Sequence, residues 1–438
     1  MKLLHPYSGC VNRPYPSAAF RNLMMSRSYF PSCVALCGLV LAFCPMLLAE
    51  EWNQWRGPNR DSVWEGKAWP EKLDGQLELV WEKPLEPSYS GPIVQGGMVY
   101  TTETVGKREE VVSAFQLDSG ELVWQKRWDG SMTVPFFASA NGSWIRATPV
   151  VSKDALVIEG ILDVLVCLDP ATGKEKWRVD FNEVLGAPRP SFGGVCSPII
   201  DGDVVYIQTG GPTVKLSLKD GSVIWKTLED GGGMMSGGAF SSPFFATIGG
   251  DRQLLIQTRT ELCGVDPESG DVLWKEPVEA FRGMNILTPT VIGDKIFTSA
   301  YGGRSHLFEI SRPAGSFEVK EVWNKKSQGY MSSPIVIEDT IYMHGRNQRI
   351  IAIDVNSGEM LWSSRPMGKY QSMIRQGKRM LILDERGDLM LVRHNREELD
   401  IIDQVKVADD SWAHLAVTDD LVIVRDLNAL KVFRLGGE

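Results

Sequence analysis

The chain has 438 residues, 43% hydrophobic and 23% charged, which allows a large core and is ordinary for a soluble globular protein. A formal net charge of -9 argues against nucleic acid as a partner, because a nucleic-acid site needs a basic face to neutralise phosphate. Of seven Cys, only Cys167, Cys196 and Cys263 lie beyond the first 49 residues. Their number and wide spacing give neither a disulfide framework nor a CxxC metal site, and they read as small buried strand residues.

The first 49 residues hold Lys2, Arg13, Arg21 and Arg27 and no acid, then an apolar run from Val34 to Leu48, then Ala49 and Glu50. This is the form of an export signal, and the run is short for a bilayer span. Next comes WNQWRGPNRDSVW, Trp52 to Trp64, inside a Trp-rich arm at 50–76 with neither strand nor helix period. It reads as an ordered arm packing its Trp side chains on the main body, with Arg56, Asn59, Arg60 and Asp61 as an alternative ligand-facing group.

From residue 77 two signatures recur. One is a turn ending in Gly with Trp four residues beyond: Gly120 and Trp124, Gly173 and Trp177, Gly221 and Trp225, Gly270 and Trp274, Gly358 and Trp362. Gly reverses the chain at no steric cost, and a strand leaves carrying the Trp. LELVWEKPL, Leu77 to Leu85, carries Trp81 in the same place with no hairpin before it. The other signature is a small residue and Pro opening a strand, at Pro92, Pro149, Pro198, Pro243, Pro289 and Pro334, with weaker copies at Met373 and Leu415. Successive copies lie 39 to 57 residues apart, the period of a four-stranded propeller blade. Eight copies predict an all-β, eight-bladed β-propeller over 77–438. The sixth blade keeps only EVWNK around Trp323, and the next keeps only HNREELDIIDQV. The eighth runs out at Phe433 with three strands, so the orphan strand at 77 should complete it and remove the open edges.

The turn A-x-D-x-x-[ST]-G-x-x-x-W resembles the tryptophan-docking repeat of the PQQ-type propellers. Ala352, Asp354, Ser357, Gly358 and Trp362 match it fully, and the turns at Asp169 and Asp266 match nearly as well. The opening WNQWRGPNRD also resembles the start of many exported proteins of this family. One branch comprises quinoprotein alcohol and glucose dehydrogenases holding PQQ and Ca²⁺ in the channel. Another is similar to the lipoprotein subunit of the outer-membrane barrel-assembly machine, a scaffold without cofactor.

The residues favour the second branch. No two Cys are adjacent, the blades carry no long insertions, and no Asp-rich loop offers the six or more oxygens that Ca²⁺ takes. Glucose-type enzymes lack the Cys pair, which keeps PQQ with Ca²⁺ as an alternative. His306 and His344 fall in inter-strand loops of neighbouring blades and could share a site; no catalytic residue and no metal ligand set is assigned. The Ser-Pro and Thr-Pro pairs start inner strands rather than acting as nucleophiles.

A propeller gathers its binding surface where D-to-A and B-to-C loops meet around the channel. That face should receive Trp144, Arg146, Arg189, Arg259, Arg282, Arg304, Tyr330, Arg346, Tyr370, Arg386 and Trp412, which suit carboxylate, sugar or peptide contacts. The competing expectation pairs many of the arginines with neighbours such as Glu261, Asp266 or Glu385. The loop Arg127 to Ala147, with Phe136 and Phe137, is expected to fold as a flap over the mouth. The Gly-rich loop Glu229 to Ser242, with Met234 and Met235, serves either close backbone packing or binding. The sequence thus predicts a periplasmic or secreted monomer. It would be a noncatalytic binding or scaffold propeller of the cell envelope, with a protein partner or a small anionic or sugar ligand and no expected cofactor. A PQQ-dependent oxidoreductase acting on alcohols or sugars is the first alternative, and a carbohydrate-binding propeller the second.

Overall fold

The computed structural model describes residues 51–229 and 238–436. The export leader at 1–49 lies outside the described residues, as do Met234 and Met235 of the Gly-rich loop. Eight four-stranded sheets follow one another, each antiparallel and in up-and-down order. Blades 1 to 7 span 93–129, 150–180, 199–227, 244–277, 290–325, 335–363 and 371–406. Blade 8 takes three strands from 416–435 and its outermost strand, Leu77–Pro84, from the other end of the chain. That strand pairs antiparallel with Ala429–Leu435, so the ring closes without a free edge. We label the strands of each blade A to D from the channel outwards.

Burial follows this layering. The B and C strands of blade 2, Leu156–Glu159 and Val164–Leu168, are buried on both faces because neighbouring blades stack on each side. The D strand of blade 1, Leu122–Asp129, alternates between exposed and half-buried positions. Each D strand also carries a one-residue register shift against its C strand. Cys167 pairs with Trp177 while Leu168 pairs with Glu175, leaving Lys176 as the extra residue. The same shift precedes Trp81, Trp124, Trp225, Trp274, Trp323 and Trp362. A bulge re-aims the next side chain, and here it turns Trp onto the neighbouring blade.

There the indole covers the C–D turn. Nε1 of Trp177 donates to the Leu218 carbonyl at 2.9 Å, and its ring lies over Gly221. Trp81, Trp124, Trp225, Trp323 and Trp362 donate to Leu117, Pro170, Pro267, Val355 and Asn395 carbonyls of the following blade. Trp274 instead donates to Gln253 Oε1 of its own blade at 2.7 Å, because the next C–D turn is a 3-10 turn, Pro313–Gly315. Trp323 therefore belongs to blade 5, not blade 6. The Trp81 strand counts with blade 8, which shifts the outer-strand count by one. In blade 7 the place of Trp is taken by Asp403, whose carboxylate accepts the backbone N–H groups of Leu73 and Asp74.

Gly173 has φ +68°, and a Cβ there would lie 2.5 Å from the Trp124 ring. Gly173→Ala combines left-handed strain with overpacking and should cost about 1–3 kcal/mol in a urea titration. An unchanged midpoint would show that the ring does not press on this turn.

A second interblade device explains the Pro-led signature. The hydroxyl before each Pro accepts the equivalent backbone N–H of the preceding blade. Thr148 accepts from Gly91, Ser197 from Thr148, Ser242 from Ser197, Thr288 from Ser242 and Ser333 from Thr288, at 2.9 to 3.3 Å. These bonds form an arc around the channel through blades 2 to 6.

Candidate functional site

The arm at 51–76 blocks one end of the channel. It pairs with inner strands: Val94 donates to the Trp52 carbonyl, Val151 to that of Asn53, and Arg375 to that of Ser62. Gly96 in the A–B turn of blade 1 donates to Glu51, Lys67 donates to Asp419 in the A–B turn of blade 8, and Leu73 and Asp74 donate to Asp403 at the outer edge of blade 7. Trp52 and Trp64 are 1% exposed. Arg56 and Arg60 are buried and turned onto backbone carbonyls. Arg56 donates to the Pro334 carbonyl at 2.8 Å, and Arg60 to the Ser197 and Pro198 carbonyls at 2.8 and 2.7 Å. Both guanidinium groups lie 5.5 Å from the Trp55 ring, and Trp55 lines the cavity above. Asn59 is exposed and Asp61 half-buried.

The channel therefore opens towards the D–A and B–C loops, as two adjoining chambers. The inner one, about 160 Å³, is lined by Trp55, His414, Arg146, the hydroxyl-bearing residues of the blade 2 to 6 arc, and Tyr89, Tyr370 and Trp412. Trp412 stacks on Tyr89 at 5.1 Å and on Tyr370 at 6.2 Å, forming an aromatic wall. The outer chamber, about 430 Å³, is apolar and aromatic, with Phe192, Phe240, Phe281, Tyr301, Tyr330, Met284 and Met331 around Arg146, Arg259 and Arg282. Pro135 and Ala138 of the 127–147 loop line it, and a 3-10 helix, Phe136–Asn141, shapes that loop.

Six of the eleven sequence-derived mouth residues line these chambers: Arg146, Arg259, Arg282, Tyr330, Tyr370 and Trp412. Trp144 lies behind Tyr89, at 6.4 Å. Arg189, Arg304, Arg346 and Arg386 stand outside the lining. Arg189 pairs with Asp180 at 2.7 Å, Arg304 donates to Asn324, Arg346 covers the Tyr301 ring and Arg386 donates to the Pro366 carbonyl. Arg189 thus makes a neighbour carboxylate pairing of the expected kind, though with Asp180 rather than Glu261, Asp266 or Glu385. Glu261 pairs with Lys275, Asp266 caps its own turn, and Glu385 accepts from Trp412 Nε1 and the Lys369 N–H. Arg259 is held by the carbonyls of Gly283, Arg282 and Gly238.

His306 and His344 sit in strands rather than loops. His306 Nδ1 lies 2.7 Å from Glu321, and His344 Nε2 lies 3.0 Å from the Gly368 carbonyl. Among the described residues no three His, Cys, Asp or Glu side chains converge to hold a metal ion. Cys167, Cys196 and Cys263 are buried; Cys196 precedes its strand instead of lying within it.

Sequence reasoning passed over a buried acidic cluster between blades 1 and 2. Glu110 accepts from the Ile161 N–H and Trp128 Nε1, and burial raises its pKa to about 7. Asp163 accepts from the Gly210 N–H, and burial raises it to about 6. Burial, then the Asp163 charge, hold Glu159 well above the carboxylate range. An acid inside an apolar strand such as LVIE was the only sequence signal. A carboxyl whose folded pKa exceeds its unfolded one stabilises the fold below the unfolded pKa and loses that contribution as pH rises to the folded pKa. Stability should fall between pH 4.5 and 7, by about 3 kcal/mol from Glu110 alone. Denaturant midpoints across that window check this, and Glu159→Gln should flatten the slope; a rise in stability across it would contradict the assignment.

A family profile described as outer membrane protein assembly factor BamB matches residues 108–364. Among curated proteins, the outer membrane protein assembly factor BamB of Yersinia pestis is 25% identical over 289 residues, covering 63% of this chain and 66% of that protein. Its counterpart from Shewanella oneidensis is 25% identical over 271 residues, covering 60% and 62%. The chain thus spans about two thirds of the length of these relatives. In fold it is similar to BamB from Moraxella catarrhalis (16% identity, TM-score 0.61, 82% of this chain and 100% of that one). It is equally similar to the quinohemoprotein alcohol dehydrogenase of Comamonas testosteroni (12% identity, TM-score 0.62, 89% and 81%). At such identities the structural likeness speaks for fold alone. With the profile covering more than half of its length, the chain belongs to the BamB family of PQQ-type propellers.

Proposed function

We propose that this protein is a noncatalytic binding propeller of the cell envelope, exported by its leader and acting as a monomer in outer-membrane protein assembly. The observation carrying this reading is the family match to outer membrane assembly factors across blades 1 to 6. A channel plugged at one end by the chain's own arm leaves the opposite mouth as the accessible binding surface, which fits this reading. The funnel face, where the non-repeating loops gather, is the surface offered to a partner.

The test is fractionation of the native host followed by crosslinking and mass spectrometry of a tagged full-length chain. Outer-membrane protein assembly components should be enriched over an untagged control. Recovery in the cytosolic fraction, or dye-linked alcohol or sugar oxidation after adding PQQ and Ca²⁺, would overturn the proposal.

A further inference from the structure

We infer that the inner chamber is a binding site for a monovalent carboxylate with an apolar or aromatic body. The five hydroxyl-bearing residues of the blade 2 to 6 arc line this chamber: Thr148, Ser197, Ser242, Thr288 and Ser333. Each already accepts a backbone N–H from the preceding blade. Among the described residues none of their own protons has a protein acceptor. The arc therefore has O–H donors to offer the cavity, with one lone pair of each oxygen engaged behind it and two at Thr288, which also accepts from the Ser241 hydroxyl at 3.3 Å.

Arg146 stands at the junction of both chambers. Its Nη2 donates to the Gly142 carbonyl at 2.7 Å, but its Nε is buried and has no partner. Among the described residues no carboxylate pairs with it; its guanidinium instead lies 5.6 Å from the Tyr89 ring. A buried donor without an acceptor costs free energy that a ligand oxygen can recover. Arg56 and Arg60 behind Trp55 add positive charge beneath the floor. His414, its pKa lowered by burial to about 3, is neutral and adds none.

A surplus of donors selects an acceptor-only group, which an ionised carboxylate is. A sugar hydroxyl needs acceptors as well as donors, and among the described residues a dianionic phosphate in the inner chamber would meet one cationic side chain, Arg146. About 160 Å³ holds a carboxylate with a few carbons, against the wall of Tyr89, Tyr370 and Trp412. The apolar outer chamber of about 430 Å³ takes the remainder of the ligand. That body comes from a free arylalkanoic acid or from the last side chain of a peptide C-terminus. The inference rests on the cavity and stands whether or not the protein joins an assembly complex.

Titration of the full chain with 3-phenylpropionate and with 3-phenylpropanamide, read by tryptophan fluorescence and calorimetry, tests it without any variant. The acid should bind at least about tenfold tighter than the amide, as expected for charge-assisted hydrogen bonds. Arg146→Gln should remove most of that preference and Arg146→Lys restore part of it, with thermal midpoints showing that both variants fold. A parallel pair of pentapeptides ending in Phe, as acid and amide, separates the sources. A peptide acid tighter than 3-phenylpropionate identifies a chain terminus, and the reverse order identifies a free acid. Equal affinity for acid and amide, or no saturable signal at millimolar acid, overturns the inference.

Discussion

A Trp177→Ala variant is expected to unfold about 3–5 kcal/mol more easily than the parent in a urea titration. The indole bridges two blades rather than filling one. Its ring covers Gly221 of blade 3, its Nε1 donates to the Leu218 carbonyl, and it joins a core that runs from Val157 to Leu216. Alanine removes the ring and leaves that carbonyl without its donor, so cavity and hydrogen-bond losses act together. A loss well under 1 kcal/mol would contradict the docking role. Trp274 gives an internal comparison, because its donor bonds to Gln253 in its own blade. Trp274→Ala should still lose the packing of a large core side chain, while removing no interblade hydrogen bond.

The second large effect concerns the arm. Trp64→Ala should also cost about 3–5 kcal/mol, and the variant should still unfold in one transition by far-UV circular dichroism and by fluorescence. Trp64 is 1% exposed, lies 6.5 Å from Trp52, and its backbone N–H donates to the Arg375 carbonyl of blade 7. It belongs to the same apolar cluster as Trp52, Trp69 and Leu73 from the arm and Leu415, Val422 and Leu430 from blade 8. If the arm were a loosely attached tail, the substitution would leave the main transition in place and add an earlier, smaller one.

Much of the candidate site was hidden from sequence for a specific reason. Arg146 and Arg189 are alike in type and both lie in D–A loops, yet one lines both chambers and the other pairs with Asp180. Which way such a loop turns depends on its own internal contacts, which do not repeat from blade to blade. Arg56 and Arg60 show the reverse case. They have the composition of a ligand site, but they meet carbonyls at Pro334 and Pro198, more than a hundred residues away. Only a closed ring brings those groups to one axis.

The repeat itself was legible because it obeys local rules. Gly at a reversing turn, a strand after it and Trp at fixed spacing need no distant partner to be recognised, and eight periods with a missing outer strand imply closure by the N-terminal strand. Tertiary structure alone decided three things. The bulge before each Trp sends the indole to the next blade. The Ser and Thr hydroxyls before the Pro residues join into an arc of donors. The arm seals one end of the channel, so the mouth is the end lined by non-repeating loops. Each depends on contacts between blades far apart in the chain, and local residue patterns carry no information about which hydroxyl or carbonyl will face which across the axis.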